Sequence, residues 1–86
     1  MSVRDVDRLM EELVRAATVA ACKELDFALS QIDGAEAHER IRHYLFHGEL
    51  VQRNYAALWF KRRGLVKVLD QAVRRGLIDR VQAFSK

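Results

Sequence analysis

Residues 3–32 read VRDVDRLMEELVRAATVAACKELDFALSQI, and along them apolar side chains recur at Val3, Val6, Met10, Leu13, Val14, Ala17, Ala21, Leu25, Ala28 and Ile32. That is the three-and-four spacing of a single helix face. Neither proline nor glycine interrupts the run. The spacing predicts one continuous N-terminal helix over about residues 3–32, with Ser2 as its N-cap and Asp5 completing a loose capping box. Thirty residues at 1.5 Å rise make a rod of about 45 Å. A compact chain of 86 residues has a radius of gyration near 12 Å and a diameter of roughly 30 Å. An unbroken helix would overhang its own domain, and its surplus stripe would need cover. The small side chains of Ala16, Ala17, Ala20 and Ala21 permit close helix contact, so a homodimer packed through Met10, Leu13, Ala17, Ala20 and Ala21 is expected. A sharp bend within the segment would remove that case.

The remainder also reads as helix. Asp33 with Glu36 forms a second capping box around a turn at Gly34, opening a helix whose buried stripe is Ala37, Ile41, Tyr44 and Leu45. The stripe stays in phase through Val51, Tyr55, Leu58 and Trp59, so Gly48 either breaks this helix or is carried within it. Arg62-Arg63-Gly64-Leu65 and Arg74-Arg75-Gly76-Leu77 repeat one stop signal. Basic residues complement the negative helix end, glycine takes the left-handed position and leucine folds back in a Schellman motif. Leu65, Val68, Leu69, Ala72 and Val73 form an amphipathic face between the stops, and Ile78, Val81 and Phe84 a short terminal one. The expected fold is an all-α bundle of four to five helices in a single domain, residues 1–86.

The segment before Gly64 offers a second apolar surface. If Val51, Tyr55 and Leu58 face the core, Phe60 lies on the opposite side with Ala56 and Ala57 flanking it, and this patch joins the expected dimer interface. The alternative is that this helix is central and covered all round.

Half the residues are apolar and 31% are charged, a composition that folds. The lone Cys22 permits no internal disulfide, pointing to a reducing, cytoplasmic setting. No apolar run approaches the ~20 residues of a membrane span, and no signal-peptide layout opens the chain, which reads as a mature product. Charge is divided unevenly. Residues 1–39 hold four Lys/Arg against nine Asp/Glu and residues 40–86 eleven against three, so a net charge of +3 conceals halves of −5 and +8.

The basic half carries the nucleic-acid candidates Arg53, Lys61, Arg62, Arg63, Lys67, Arg74 and Arg75, with Arg80 and Lys86 beyond them and Tyr55, Trp59 and Phe60 interleaved. Such a cluster can neutralise phosphates. Several of these residues also sit where helix ends favour positive charge. A helix-turn-helix fits poorly: a turn at Gly76 places Arg75 at an apolar position, and one at Gly64 places Phe60 where a small residue is needed.

Chemical constellations are sparse. His38-Glu39 opens like a zinc-protease motif, but Arg42 stands where the second histidine belongs. Glu39, His43 and His47 align at four-residue spacing and are the weak metal candidates; with no fourth ligand in view, the expected state is a solvated stripe without a metal or other cofactor. Ser2, Ser30 and Ser85 suggest no nucleophilic triad, and the four scattered glycines form no phosphate loop. The chain carries no motif by which a family is recognised. The leading expectation is a non-enzymatic helical interaction or regulatory protein acting as a homodimer on a protein partner. The alternatives are a nucleic-acid binder and, third, a metal or small-ligand binder.

Overall fold

The computed structural model of the chain describes residues 3–81. The elements fully within the described residues are five helices, α1 (Val3–Arg15), α2 (Val19–Ser30), α3 (Ala35–His47), α4 (Leu50–Arg62) and α5 (Val66–Arg74), and the described residues include no strand. The expected Ser2 cap and the apolar contribution of Phe84 lie outside the described residues. Extents of 29 × 27 × 22 Å and a radius of gyration of 11.8 Å match the size expected for a chain of this length. No helix among the described residues is long and apolar enough to cross a membrane.

The continuous N-terminal helix is not formed. Helix α1 stops after 13 residues, about 20 Å, and the chain turns through Ala16 and Ala17 before re-entering helix at Val19. Thr18 makes the new start: its backbone is extended and its hydroxyl accepts the Ala21 N–H at 3.1 Å. Alanine propensity favours continuation, but folding back packs Cys22, Leu25 and Leu29 against the core, whereas a straight rod would carry them into water. With the bend, the argument for a dimer from excess helix length falls. Met10 and Leu13, expected at an interface between copies, are fully enclosed in the protein's own core with Val6 and Leu9.

Helix α4 is the centre of the bundle and touches all four of the others. No residue from Val51 to Phe60 is exposed. Ala56, Ala57, Trp59 and Phe60 form its most buried side, while Val51 and Tyr55 are half-buried. The expectation of an outward Phe60 is therefore inverted: the ring has no exposed surface and meets Trp59 and His38 edge-on. Ala56 and Ala57 allow neighbouring helices close to the α4 axis, which is how one helix comes to be covered on both sides.

Gly48 breaks α3 from α4. A Cβ there would lie 2.6 Å from the Tyr44 carbonyl oxygen and 2.9 Å from Gln52 Oε1, so only glycine fits the approach. Gln52, the one buried polar side chain among the described residues, stitches this turn to α1. Its Oε1 accepts the Glu49 N–H at 2.8 Å and its Nε2 donates to the Met10 carbonyl at 3.1 Å. Both glycine stops form as expected. The Leu65 N–H reaches the Phe60 carbonyl and the Leu77 N–H that of Ala72, with Gly64 and Gly76 at φ 69° and 71°. The capping box expected at Asp33 and Glu36 does not form. Gly34 is the N-cap of α3, without a side-chain cap, and Asp33 turns to Arg63 instead.

Between α1 and α3, Asp7 accepts from Arg40 Nε at 2.6 Å and from the Tyr44 hydroxyl at 2.7 Å. Burial opposes the Asp7 carboxylate most strongly, yet Arg40 and Tyr44 together hold it below the usual carboxylate range. The Tyr44 phenol is raised, first by burial and then by Asp7, and stays a donor. A folded-state value below the unfolded one means that Asp7 stabilises the protein above the ordinary carboxylate range, and that this contribution is lost as pH falls through the depressed value. The stability advantage of the wild type over Asp7→Asn, measured by urea unfolding, is therefore expected to shrink steadily from about pH 5 to about pH 2. A pH-independent difference would refute the assignment.

Candidate functional site

The charge halves meet inside one chain. Asp7 pairs with Arg40, Asp26 with Arg62 and Asp33 with Arg63, each joining the acidic N-terminal part to the basic remainder. Asp26 takes Arg62 through both oxygens, at 2.9 and 2.7 Å, and raises the guanidinium's affinity for its proton. Arg63 sends hydrogen bonds to the Ser30, Ile32 and Trp59 carbonyls and lies 3.8 Å over the Trp59 ring. Trp59 Nε1 donates to the same Ile32 carbonyl, so this indole serves the α2–α3 connection.

These pairings redistribute the phosphate-binding candidates. Arg62, Arg63 and Arg74 each have a carboxylate partner, the last being Asp70 one turn back on α5. Lys61 is half-buried at the end of α4, and Arg53 is half-buried with its Nε enclosed and unbonded. Lys67 stands in an apolar groove of about 460 Å³ beside His38, Leu65, Val66 and Val68. Of the seven, Lys67 lines this groove and Arg75 a separate polar cleft. Cys22 is half-buried rather than sealed, next to Tyr55, whose phenol is raised first by burial and then by Cys22 and Asp26.

Glu39, His43 and His47 line one polar cleft of about 260 Å³ with Arg42, Phe46 and Arg75. The two imidazoles are 5.1 Å apart between centroids and tilted by 40°. Among the described residues no three His, Cys, Asp or Glu side chains assemble a metal-holding group, so the aligned spacing does not become a ligand set. What the cleft holds instead is a pair of guanidiniums on one ring. Arg42, from α3, lies 4.8 Å from the Phe46 centroid, and Arg75, from the C-cap of α5, lies 5.0 Å from it. The sequence grouped Arg75 with the other basic residues and gave Arg42 no role. Sites 33 residues apart meet here only because α3 packs on α5.

The other distinctive surface is the outside of α2. Its twelve residues carry only Lys23, Glu24 and Asp26 as charges, yet Leu29 alone is fully buried. Opposite Leu29 runs a stripe of Ala20, Lys23, Glu24 and Phe27, with Val19 at its margin. Phe27 is 68% exposed and Val19 72%, and Val14 at the end of α1 is 42% exposed. Of the expected interface residues, Ala17 and Ala20 are exposed and Ala21 half-exposed, whereas Met10, Leu13 and Phe60 belong to the core. Comparison with protein-family models, with curated proteins and with solved structures finds no match for this chain.

Proposed function

We propose that the protein is a non-enzymatic interaction module acting as a homodimer paired through the outer face of α2. The observation that carries this reading is the exposure of Val19 and Phe27 along the outer side of α2. Apolar surface of that kind is characteristic of an interface. The stripe is also self-complementary. Two α2 helices laid antiparallel about a two-fold axis between Lys23 and Glu24 set each Lys23 against the other copy's Glu24, and each Phe27 over the other copy's Ala20. A large ring then meets a small side chain, and unlike charges meet twice. Neither Lys23 nor Glu24 has a partner among the described residues. The single half-buried cysteine suits a reducing compartment, and we place the dimer in the cytoplasm. The nucleic-acid reading loses the support it drew from Arg62, Arg63 and Arg74, whose charges are answered within the chain.

Sedimentation equilibrium across the micromolar range is expected to give a mass near twice 10.0 kDa. Phe27→Asp is expected to leave a folded monomer. Lys23→Glu sets acid against acid and weakens the dimer, and adding Glu24→Lys restores it. A wild-type monomer throughout the range, or a double variant no better than the single, would dismiss the pairing.

A further inference from the structure

We infer that the cleft between α3 and the end of α5 is a binding site for a small phosphate-type anion, held between Arg42 and Arg75 with His43 and His47 at its wall. Both guanidiniums are fixed against one ring, so their charges lie no more than about 10 Å apart, comparable to the screening length of physiological salt. Neither has a carboxylate within ion-pair distance among the described residues, although Arg40, Arg62, Arg63 and Arg74 all do. Glu39 lies in the same cleft without pairing either arginine, and among the described residues it is the one negative group lining it.

The geometry also narrows the ligand. Phe46 is almost wholly buried and its ring is taken by the two guanidiniums, so among the described residues the cleft offers no free phenyl or indole face on which a nucleobase could stack. A volume of about 260 Å³ lies below the range usual for drug-sized ligands and suits a group of phosphate size. Arginine forks and imidazole N–H groups are the donors such oxygens need, and the polar cleft wall supplies both. The site shares no residue with the α2 stripe, so it stands or falls independently of the dimer.

The test is a titration of the full chain with inorganic phosphate at constant ionic strength, set by chloride and followed by amide chemical shifts. Saturable shifts are expected, centred on Arg42, Phe46 and Arg75. Arg42→Ala and Arg75→Ala are each expected to weaken binding about tenfold, the effect of one lost charge-assisted hydrogen bond. Glu39→Gln is expected to tighten it, an outcome that impaired folding cannot imitate. Arg74→Ala, adjacent but paired to Asp70 outside the cleft, is expected to leave it unchanged. Shifts reproduced by chloride alone, equal weakening by Arg74→Ala, or no gain from Glu39→Gln would overturn the site. So would a single-stranded oligonucleotide that binds with the same affinity to the Arg42→Ala, Arg75→Ala double variant while phosphate binds to neither protein.

Discussion

Replacing Phe60 by alanine is expected to remove about 3–5 kcal/mol of stability, the range for truncating a fully enclosed aromatic side chain. At about 0.05–0.15 kcal/mol per residue, a domain of this size holds roughly 4–13 kcal/mol in total, so the variant loses a large share of its reserve or fails to fold. The ring meets Trp59 and His38 at 5.0 and 5.2 Å on the helix that touches every other one, leaving few neighbours able to collapse into the space without moving a second element. Urea unfolding monitored by circular dichroism measures the effect. Phe27→Ala, measured at a protein concentration low enough to keep both proteins monomeric, is the matched comparison, because in the monomer this ring is mostly in water and its removal is expected to cost less than about 0.5 kcal/mol. An outward Phe60 would give the reverse pattern, with stability kept and self-association lost. Equal small effects from the two truncations would reject the central placement of α4.

The inversion at Phe60 has a definite physical source. Periodicity identifies a helix and its apolar positions, but it assumes one buried face and one wet face. On α4 that assumption fails, because α1, α2, α3 and α5 all close on it. Ala56 and Ala57, which looked like the flanks of an exposed patch, are fully buried. The glycine stops were legible because their chemistry is local: a left-handed residue, a fold-back leucine and two backbone hydrogen bonds fall within six positions.

The bend at Thr18 was written more faintly. Threonine inside a run of alanines is a modest helix former and a good N-cap, and the apolar phase restarts behind it at Cys22, Leu25 and Leu29. Reading the stripe as unbroken required passing over Leu9 and Leu29, both buried, and counting Val14 and Ala17, both exposed. Charge behaved similarly. The division into acidic and basic halves was visible, but whether it would be answered between copies or within one depended on the bend, which brings Asp26 and Asp33 to the end of α4. The Arg42–Phe46–Arg75 cleft left no sequence signal beyond its separate residues. Its two arginines belong to helices whose contact only the tertiary fold creates.

The same division separates two arginines that occupy equivalent positions in the repeated stop. Arg63 and Arg75 are the C-cap residues of α4 and α5, each directly before a left-handed glycine. If both served only to complement a helix dipole, their removal would cost alike, about 0.3–1 kcal/mol. The surroundings of Arg63 demand more. Its guanidinium satisfies the Ser30 and Ile32 carbonyls at 3.2 and 2.8 Å and stacks at 3.8 Å on Trp59, so truncation strips partners from the chain reversal that joins α2 to α3. Its ion pair with Asp33 adds little, since that carboxylate is 80% exposed. Charge-assisted hydrogen bonds contribute about 1.5–3 kcal/mol and the stacked cation about 0.5–2, giving an expected loss of about 2–4 kcal/mol for Arg63→Ala. For a domain of this size that lowers the melting temperature by about 10–25 °C. Arg63→Lys keeps the charge but not the planar fork, and is expected to recover less than half of the loss. Arg75→Ala is expected to shift the melt by only a few degrees, because its exposed guanidinium holds no backbone carbonyl among the described residues. Equal shifts for Arg63→Ala and Arg75→Ala would reduce both residues to dipole complements and remove Arg63 from the joint between the acidic and basic parts of the fold.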